Sequence, residues 1–296
     1  MSANGYFCRY NPTGMKSKNK DEGADTGKAN EMTFWEHLTE LRTRLIRVLL
    51  SVLVFSVVAF IYSRFIFDKI LLAPKSSDFI TYKWLCSLGR FLHVDSLCLQ
   101  KVNIEIININ LSGQFMTDMY ISIFAGIILA IPYIFWQAWK FIKPALYDKE
   151  QRYARSAVFI MSALFFIGVL FSYYFMVPWT LNFLGTYQVS DSVNNQITLN
   201  SYISTVVSVI LSVGVVFELP VVVYVLAKIG IMSSSFLKKN RKYAFVIVLI
   251  VAAIITPPDV FSQIIVTVPL WLLYEVSILV AKRVEPKDLI SDPIEE

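Results

Sequence analysis

The chain has 296 residues, of which 56% are hydrophobic, 15% aromatic and only 17% charged, and its formal net charge is +5. Soluble domains carry about 25% charged residues, so this composition excludes an ordinary water-soluble enzyme and indicates a protein that lies in lipid. The modest positive charge suits a membrane surface and gives no reason to expect a nucleic-acid partner.

Six apolar runs along the chain predict membrane-spanning helices. A helix needs about 20 residues to cross a hydrocarbon core of about 30 Å, and five of the runs are near this length or longer. Helices are expected because every backbone polar group in lipid must be paired within its own segment. The predicted spans are 45–62, 115–138, 157–178, 202–227, a short one at 243–256, and 260–280. The predicted fold class is all-α, a polytopic membrane protein with six transmembrane helices.

Polar segments on either side of the apolar runs predict the domain boundaries. Residues 1–30 are expected to form a disordered cytoplasmic tail, residues 31–283 the six-helix membrane domain, and residues 284–296 a cytoplasmic C-terminal tail. The first tail has no apolar core of a signal peptide, and Met15 or Met32 is an alternative start.

Basic residues predict the orientation, since Lys and Arg in short connections stay on the cytoplasmic side. The N-terminal segment and the connections after the second and fourth spans are rich in Lys and Arg, whereas 179–201 and 257–263 contain neither. Both termini are therefore expected in the cytoplasm. The first connection, 64–112, also carries Lys and Arg but must be external for the parity to hold, and its length makes each charge count for less.

A carboxylate is predicted at the cytoplasmic membrane surface. Thr33 and Glu36 form a capping-box pattern at the start of an amphipathic helix that leads into the first span. Glu40 lies on this helix, flanked by Arg42 and Arg44. The simplest interpretation is an i,i+4 ion pair of Glu40 with Arg44, worth a few tenths of a kcal/mol and without a function.

A second carboxylate is predicted inside the membrane. Glu218 lies about ten residues before Lys228 and hence roughly 15 Å deep. A charged acid at a helix centre costs about 2.5 to 3.5 kcal/mol or more, so Glu218 is expected to face protein or water, or to be protonated. A neutral Glu218 bonded to a neighbouring helix is the simplest alternative. Pro132, Pro220 and Pro269 fall inside spans and predict kinks.

The cysteines allow one disulfide in the first external connection, and the histidines do not indicate a metal site. Cys86 and Cys98 lie in the first external connection, where an oxidising compartment would let them pair, although two reduced thiols fit the sequence equally well. His37 and His93 are predicted on opposite membrane faces, so no metal site and no cofactor are expected.

Four stretches resemble motifs of the TatC family, the multispanning component of the twin-arginine translocase, and they occur in the family's order. They are HLTELRTRL at 37–45, QAWKFIKPALYDKEQR at 137–152, FELP at 217–220 and TPPDVFSQ at 256–263. The resemblance implies a curved, glove-like bundle in the bacterial cytoplasmic (inner) membrane and no enzymatic activity. The main departure from the family is a longer first external loop.

The resemblance also implies a function, its partners and its site residues. The function is that of a receptor and core subunit that binds Arg-Arg signal peptides of folded proteins at the cytoplasmic face and organises their export by the proton motive force. The implied partners are these signal peptides, single-span TatA/TatB-type subunits, further copies of the chain in a multimeric receptor complex, and membrane lipid. The implied signal-peptide-binding residues are Glu40, Arg42, Arg44, Leu146, Glu150 and Arg152. The residues implied to contact the partner subunit are Glu218, Pro220, Asp259 and Gln263.

A proton-coupled secondary transporter of a small molecule is the alternative function. A mid-membrane acid beside a proline, in a bundle of kinked helices, would suit a proton pathway. An inverted internal repeat would support this alternative, and none is visible in the sequence. An enzyme has less support, because the chain contains no HExxH, P-loop or GxGxxG motif.

Overall fold

The computed structural model describes residues 34–76, 79–92, 105–142, 154–188, 190, 196–256 and 260–284. The chain divides into two units, residues 1–39 and residues 40–296. In the first unit the described residues form the start of a helix, where the Thr39 hydroxyl donates a hydrogen bond to the Trp35 carbonyl at 2.9 Å.

The described residues are mostly helical. In chain order the elements are α1 (Phe34–Ile61), α2 (Ser63–Phe65), a π-helical segment (Ile66–Leu71), a 3-10 turn (Ala73–Lys75), α3 (Ile80–Leu92), β1 (Ile106–Ile107), α4 (Gly113–Ile142), α5 (Ala154–Phe171), a second π-helical segment (Ser172–Met176), α6 (Val177–Thr186), β2 (Ile197–Thr198), α7 (Leu199–Val216), α8 (Leu219–Lys228), α9 (Ser234–Lys239), α10 (Arg241–Ile255) and α11 (Val260–Val284).

Five helical segments are long and apolar enough to cross a membrane. They are Leu38–Ile61, Gly113–Phe141, Ser156–Thr186, Leu199–Lys228 and Gln263–Val284. Each overlaps one of the five long predicted spans, so those five apolar runs form helices of spanning length. The short predicted span corresponds to α10, a helix of 15 residues and therefore about 22 Å long. It is a helix, as expected, but it is shorter than the spanning helices.

The α7–α8 segment is the most deeply packed span of the second unit. Of its most apolar stretch, 56% is buried inside the protein, against 6% for the span of α1. Two glycines let α5 approach α7 closely, because a Cβ at Gly168 would lie 2.8 Å from the Phe217 side chain and one at Gly214 would lie 3.0 Å from the Phe165 ring. Small residues serve this purpose because lipid is as apolar as a helix surface, so membrane helices associate through close packing.

A third glycine lies where α1 meets α4. A Cβ at Gly126 would lie 2.7 Å from the Cα of Ser56 and 2.6 Å from its backbone nitrogen. The two backbones therefore pass each other closely at this point. Farther along, the residues just after α1 and the first turns of α4 line one cavity, so the two helices run antiparallel.

Hydrogen bonds from tyrosine hydroxyls hold the first connection against the spans. From the spans, Tyr202 donates to the Leu71 carbonyl and Tyr173 to the Ile70 carbonyl, both at 2.8 Å. Within the connection itself, Tyr82 of α3 donates to the Pro74 carbonyl at 3.0 Å. All three acceptors belong to the π-helical segment and the 3-10 turn that follow α2.

A short parallel sheet joins the first connection to the one after α6. Ile106 of β1 pairs with Ile197 of β2. The connection between the first two spans therefore lies on the same side as the Lys- and Arg-free connection between the third and fourth. This is the arrangement that the parity of the spans requires, in spite of the basic residues in the first connection.

The three prolines predicted inside spans behave differently. Pro220 lies in the first turn of α8, immediately after a break between α7 and α8. Pro132 and Pro269 instead lie within the continuous helices α4 and α11. Of the two cysteines predicted to pair, Cys86 in α3 is disulfide-bonded, and Cys98 lies outside the described residues.

Candidate functional site

The carboxylate of Glu40 is bound by the guanidinium of Arg44 one helical turn along α1. The Arg44 Nε donates to Glu40 Oε1 at 3.1 Å, and Arg44 Nη2 contacts the same oxygen. The Glu40 side chain is 27% exposed and the Arg44 side chain is 16% exposed, so the pair is partly shielded from water. The second oxygen, Glu40 Oε2, is buried and has no hydrogen-bond partner among the described residues. The carboxylate thus holds one guanidinium and keeps one acceptor unused.

The other residues predicted for this site are only partly described. Arg42 is exposed on α1 and makes no ion pair within the described part of the chain. Leu146, Glu150 and Arg152 lie between α4 and α5, outside the described residues.

The C-terminal end of α4 carries two polar groups that the sequence-based prediction passed over. The Oε1 of Gln137 and the Nε1 of Trp139 are buried and lack hydrogen-bond partners among the described residues. Both side chains are almost completely buried, at 5% and 4% exposure. Their place in the 137–152 motif is the sequence signal that marks them, although the charged residues of that motif lie downstream.

Glu40 and Trp139 lie at similar depths on antiparallel helices. Glu40 lies sixteen residues before Ser56, about 24 Å along α1 from the close approach of α1 to α4. Trp139 lies thirteen residues after Gly126, about 20 Å along α4 in the same direction. The unpaired acceptor of Glu40 and the unpaired groups of α4 are therefore on one face of the membrane domain, opposite the β1–β2 sheet.

Glu218 lies at the break between α7 and α8, inside the Leu199–Lys228 span. Its backbone N–H donates to the Val215 carbonyl at 3.1 Å, and its carbonyl accepts from Val221 at 2.9 Å. The break follows from Pro220, which has no N–H to continue the helical hydrogen bonds of α7.

The carboxyl of Glu218 is buried without a hydrogen-bond partner. Glu218 is only 8% exposed, and both of its carboxyl oxygens lack a partner within hydrogen-bond geometry among the described residues. The backbone of Phe165 on α5 is near enough for a weak interaction with the carboxyl. The bond to a neighbouring helix that the sequence offered as the simplest alternative is therefore limited, among the described residues, to this weak interaction with the Phe165 backbone.

Two further polar side chains of α11 contact α10. Gln263 donates through Nε2 to the Leu249 carbonyl at 3.2 Å, and Glu275 accepts from Arg241 at 2.7 Å. Gln263 is therefore bonded to α10 and not to Glu218. Asp259 lies outside the described residues. Within the part of the chain that the structure describes, no group of three His, Cys, Asp or Glu side chains is placed to hold a metal ion.

Comparison with known proteins gives one family. A family model described as Sec-independent protein translocase protein (TatC) matches residues 36–269. The TatC protein of Blattabacterium sp. subsp. Periplaneta americana is 42% identical over 87% of this chain and 98% of its own length. The TatC protein of Carboxydothermus hydrogenoformans is 37% identical over 87% of this chain and 96% of its own length.

A solved structure matches the fold as well as the sequence. A crystal structure described as the twin arginine translocase receptor TatC in DDM is 33% identical, has a TM-score of 0.67 and covers 83% of this chain and 99% of its own. The matched segment contains the carboxylates Glu40 and Glu218 together with the spans described above. The chain therefore belongs to the TatC family, and it is a multi-pass inner-membrane protein of the Sec-independent, twin-arginine translocase.

Proposed function

We propose that the chain is the receptor and core subunit of its translocase, and that it binds the Arg-Arg signal peptides of folded proteins at its cytoplasmic face. The observation that carries the proposal is the Glu40 carboxylate. This carboxylate already binds one guanidinium, that of Arg44, and its other oxygen is a buried acceptor that has no partner in the described part of the chain. A second guanidinium fits such an acceptor.

The geometry of the pair favours arginine over lysine. Two nitrogens of one planar guanidinium, Nε and Nη2 of Arg44, converge on a single Glu40 oxygen. A lysine ammonium is a compact, strongly hydrated point charge that cannot form such a fork. Selection of Arg-Arg over Lys-Lys peptides follows from this difference, and desolvation of the partly buried pair strengthens it.

The rest of the peptide site is proposed from the motif that ends α4. Glu150 supplies the second carboxylate, with Leu146 and Arg152 beside it. The buried, unpaired groups of Gln137 and Trp139 support a site at this end of α4, because buried polar groups in proteins are almost always hydrogen-bonded. A peptide backbone is able to donate to Gln137 Oε1 and to accept from Trp139 Nε1.

The distribution of exposed lysines supports a cytoplasmic position for this site. Lys238, Lys239 and Lys242 are exposed near α9, on the side of the Leu199–Lys228 span opposite β2. Since exposed lysines beside spans are retained on the cytoplasmic side, the parity of the spans supports a cytoplasmic position for Glu40 as well. With α10 and α11 as a final hairpin, the chain has six membrane helices and two cytoplasmic termini.

We assign Glu218, Pro220, Asp259 and Gln263 to contacts with single-span TatA/TatB-type subunits. Glu218 supports this assignment, because an acid in the middle of a span without a partner is costly in lipid. A polar group on a partner helix would satisfy it. The proton motive force would act on the assembled complex, together with further copies of this chain.

Binding of labelled signal peptides to the purified chain in lipid nanodiscs tests the proposal. The Arg-Arg peptide is expected to bind at least about tenfold more tightly than its Lys-Lys counterpart, since a charge-assisted hydrogen bond contributes about 1.5–3 kcal/mol. Glu40→Gln should remove this preference. Glu275→Gln is the matched control, because Glu275 also pairs with an arginine on the same side of the membrane.

Equal affinity for the two peptides in the unaltered chain would overturn the proposal. If Glu40→Gln left the preference for the Arg-Arg peptide intact, the receptor site would not include Glu40 of α1. A proton-coupled small-molecule transporter is not favoured, since the family match joins the chain to a protein translocase.

A further inference from the structure

A cavity of about 730 Å³ opens where α1 ends and α4 begins, on the face opposite Glu40. Four charged side chains line it: Arg64 of α2, Asp68 of the first π-helical segment, Lys75 of the 3-10 turn and Asp118 of α4. Its charged wall thus combines two cationic and two anionic groups.

The four charges do not neutralise one another. None of them forms an ion pair or a side-chain hydrogen bond with another described residue. Lys75 and Asp118 are half-buried, and Arg64 and Asp68 are exposed at the rim. Partly buried charges without partners are costly, so a ligand that carries both signs of charge suits this cavity.

The cavity lies at the level of lipid head groups. The first span ends at Ile61, and Arg64 follows three residues later, about 5 Å farther along the chain. The second span begins at Gly113, and Asp118 lies within its first two turns. Phe67 and Phe115 add apolar surface to the same wall. Charged groups beside aromatic rings at a span end match the boundary between head groups and acyl chains.

We propose that this cavity binds the head group of a zwitterionic phospholipid that carries a primary amine, such as phosphatidylethanolamine. Arg64 and Lys75 bind the phosphate, for which guanidinium and ammonium groups are the usual protein ligands. Asp68 and Asp118 accept hydrogen bonds from the lipid ammonium. An anionic lipid without an amine would leave both carboxylates unpaired, and a quaternary amine would offer them no N–H donor.

The bound lipid joins the outer end of α1 to α4. The span of α1 is 6% buried, so protein contacts cover little of it. A head group held between Arg64 and Asp118 adds contacts between α1 and α4 at the end far from Glu40. Loss of the lipid is therefore expected to loosen α1 without removing a residue of the proposed peptide site.

Native mass spectrometry of the purified chain with lipids of identical acyl chains tests this site. Phosphatidylethanolamine should be retained at least about tenfold more than phosphatidylcholine or phosphatidylglycerol, given the contribution of charge-assisted hydrogen bonds. Asp118→Asn and Arg64→Gln should each abolish the difference. Soluble phosphoethanolamine should displace the lipid if the head group alone is recognised, and failure to displace it would assign retention to the acyl chains and contradict the proposal.

Two further variants complete the test. Asp68→Asn alters an exposed carboxylate at the rim and should lower the preference even if Asp118→Asn fails to fold. Lys242→Gln removes an exposed lysine near α9, on the opposite face, and should leave the preference unchanged. Equal retention of all three lipids, or a preference for phosphatidylglycerol, would overturn the proposal. Peptide binding is measured separately, so this failure would leave the proposed receptor function standing.

Discussion

At the scale of single residues, the two carboxylates differ in what the sequence reveals about them. Glu40 and Arg44 follow a spacing that predicts an ion pair, and the structure forms that pair. The depth of Glu218 was likewise readable from its distance to Lys228. The lack of a partner for its carboxyl was not, because this depends on how α5 packs beside α7. Sequence periodicity gives the face of one helix and not the groups opposite it.

Replacement of Glu218 distinguishes a role of its carboxyl in the stability of the chain from a role in binding a single-span partner subunit. Glu218→Leu removes a buried carboxyl that finds no hydrogen-bond partner of good geometry among the residues that the structure describes, so the free energy of unfolding should be unchanged or higher by about 1–3 kcal/mol. Co-purification of a single-span partner should fall, whereas Glu218→Gln, which keeps a polar group, should retain it. A large loss of thermal stability in Glu218→Leu would show that the carboxyl is satisfied within the chain.

The Tyr202 hydroxyl is expected to stabilise the folded state. It donates to the Leu71 carbonyl from a residue that is 1% exposed. Tyr202→Phe leaves a buried carbonyl unpaired and should lower the free energy of unfolding by about 1–3 kcal/mol. Tyr62→Phe is the matched control, because Tyr62 is exposed and its hydroxyl has no hydrogen bond among the described residues. Thermal unfolding in detergent measures both, and equal midpoints would contradict the expectation.

At the scale of elements, the five long spans were predictable because each needs only a long apolar run. Their ends are later than predicted in places: the third span continues through a π-helical segment to Thr186. Such a segment leaves no mark in apolar composition. The break at Pro220 was predictable from proline chemistry, but Pro132 and Pro269 have the same chemistry and lie within continuous helices.

The first connection shows where prediction from sequence ends. Its π-helical segment is held by tyrosines 103 and 131 residues away in sequence, Tyr173 bonded to Ile70 and Tyr202 bonded to Leu71. No local pattern encodes contacts of this length. The parallel pairing of two-residue strands is equally invisible in the sequence, since strands of this length have no readable alternation.

The glycines at helix crossings are expected to control packing. Gly126→Ala should lower the free energy of unfolding by about 1–3 kcal/mol, because the added Cβ clashes with the Ser56 backbone. A backbone, unlike the end of a flexible side chain, cannot relieve the clash by changing its rotamer. Ala253→Leu is the control, since it enlarges a side chain on the exposed face of α10. Similar unfolding midpoints for Gly126→Ala and the unaltered chain would show that α1 and α4 separate without cost.

At the scale of the whole molecule, the proposed orientation makes a prediction that does not depend on any site. Asn200→Cys, beside β2, should react with a membrane-impermeant thiol reagent in intact cells. Lys239→Cys, in α9, should react only after the membrane is permeabilised. Both residues are exposed, so access to the side chain is not limiting. Labelling of Lys239→Cys in intact cells would show the opposite orientation, in which Glu40 does not face the cytoplasm.

The receptor function is the central claim, and crosslinking in native membranes tests it most directly. A photo-reactive amino acid in place of Thr43 or Leu41, beside Glu40 on α1, is exposed to a bound signal peptide. We predict crosslinks to a signal peptide that carries Arg-Arg, none or few to its Lys-Lys counterpart, and their loss with Glu40→Gln or Glu150→Lys. Equal labelling by the two peptides, or crosslinks that survive both substitutions, would contradict the claim that these carboxylates select the arginine pair.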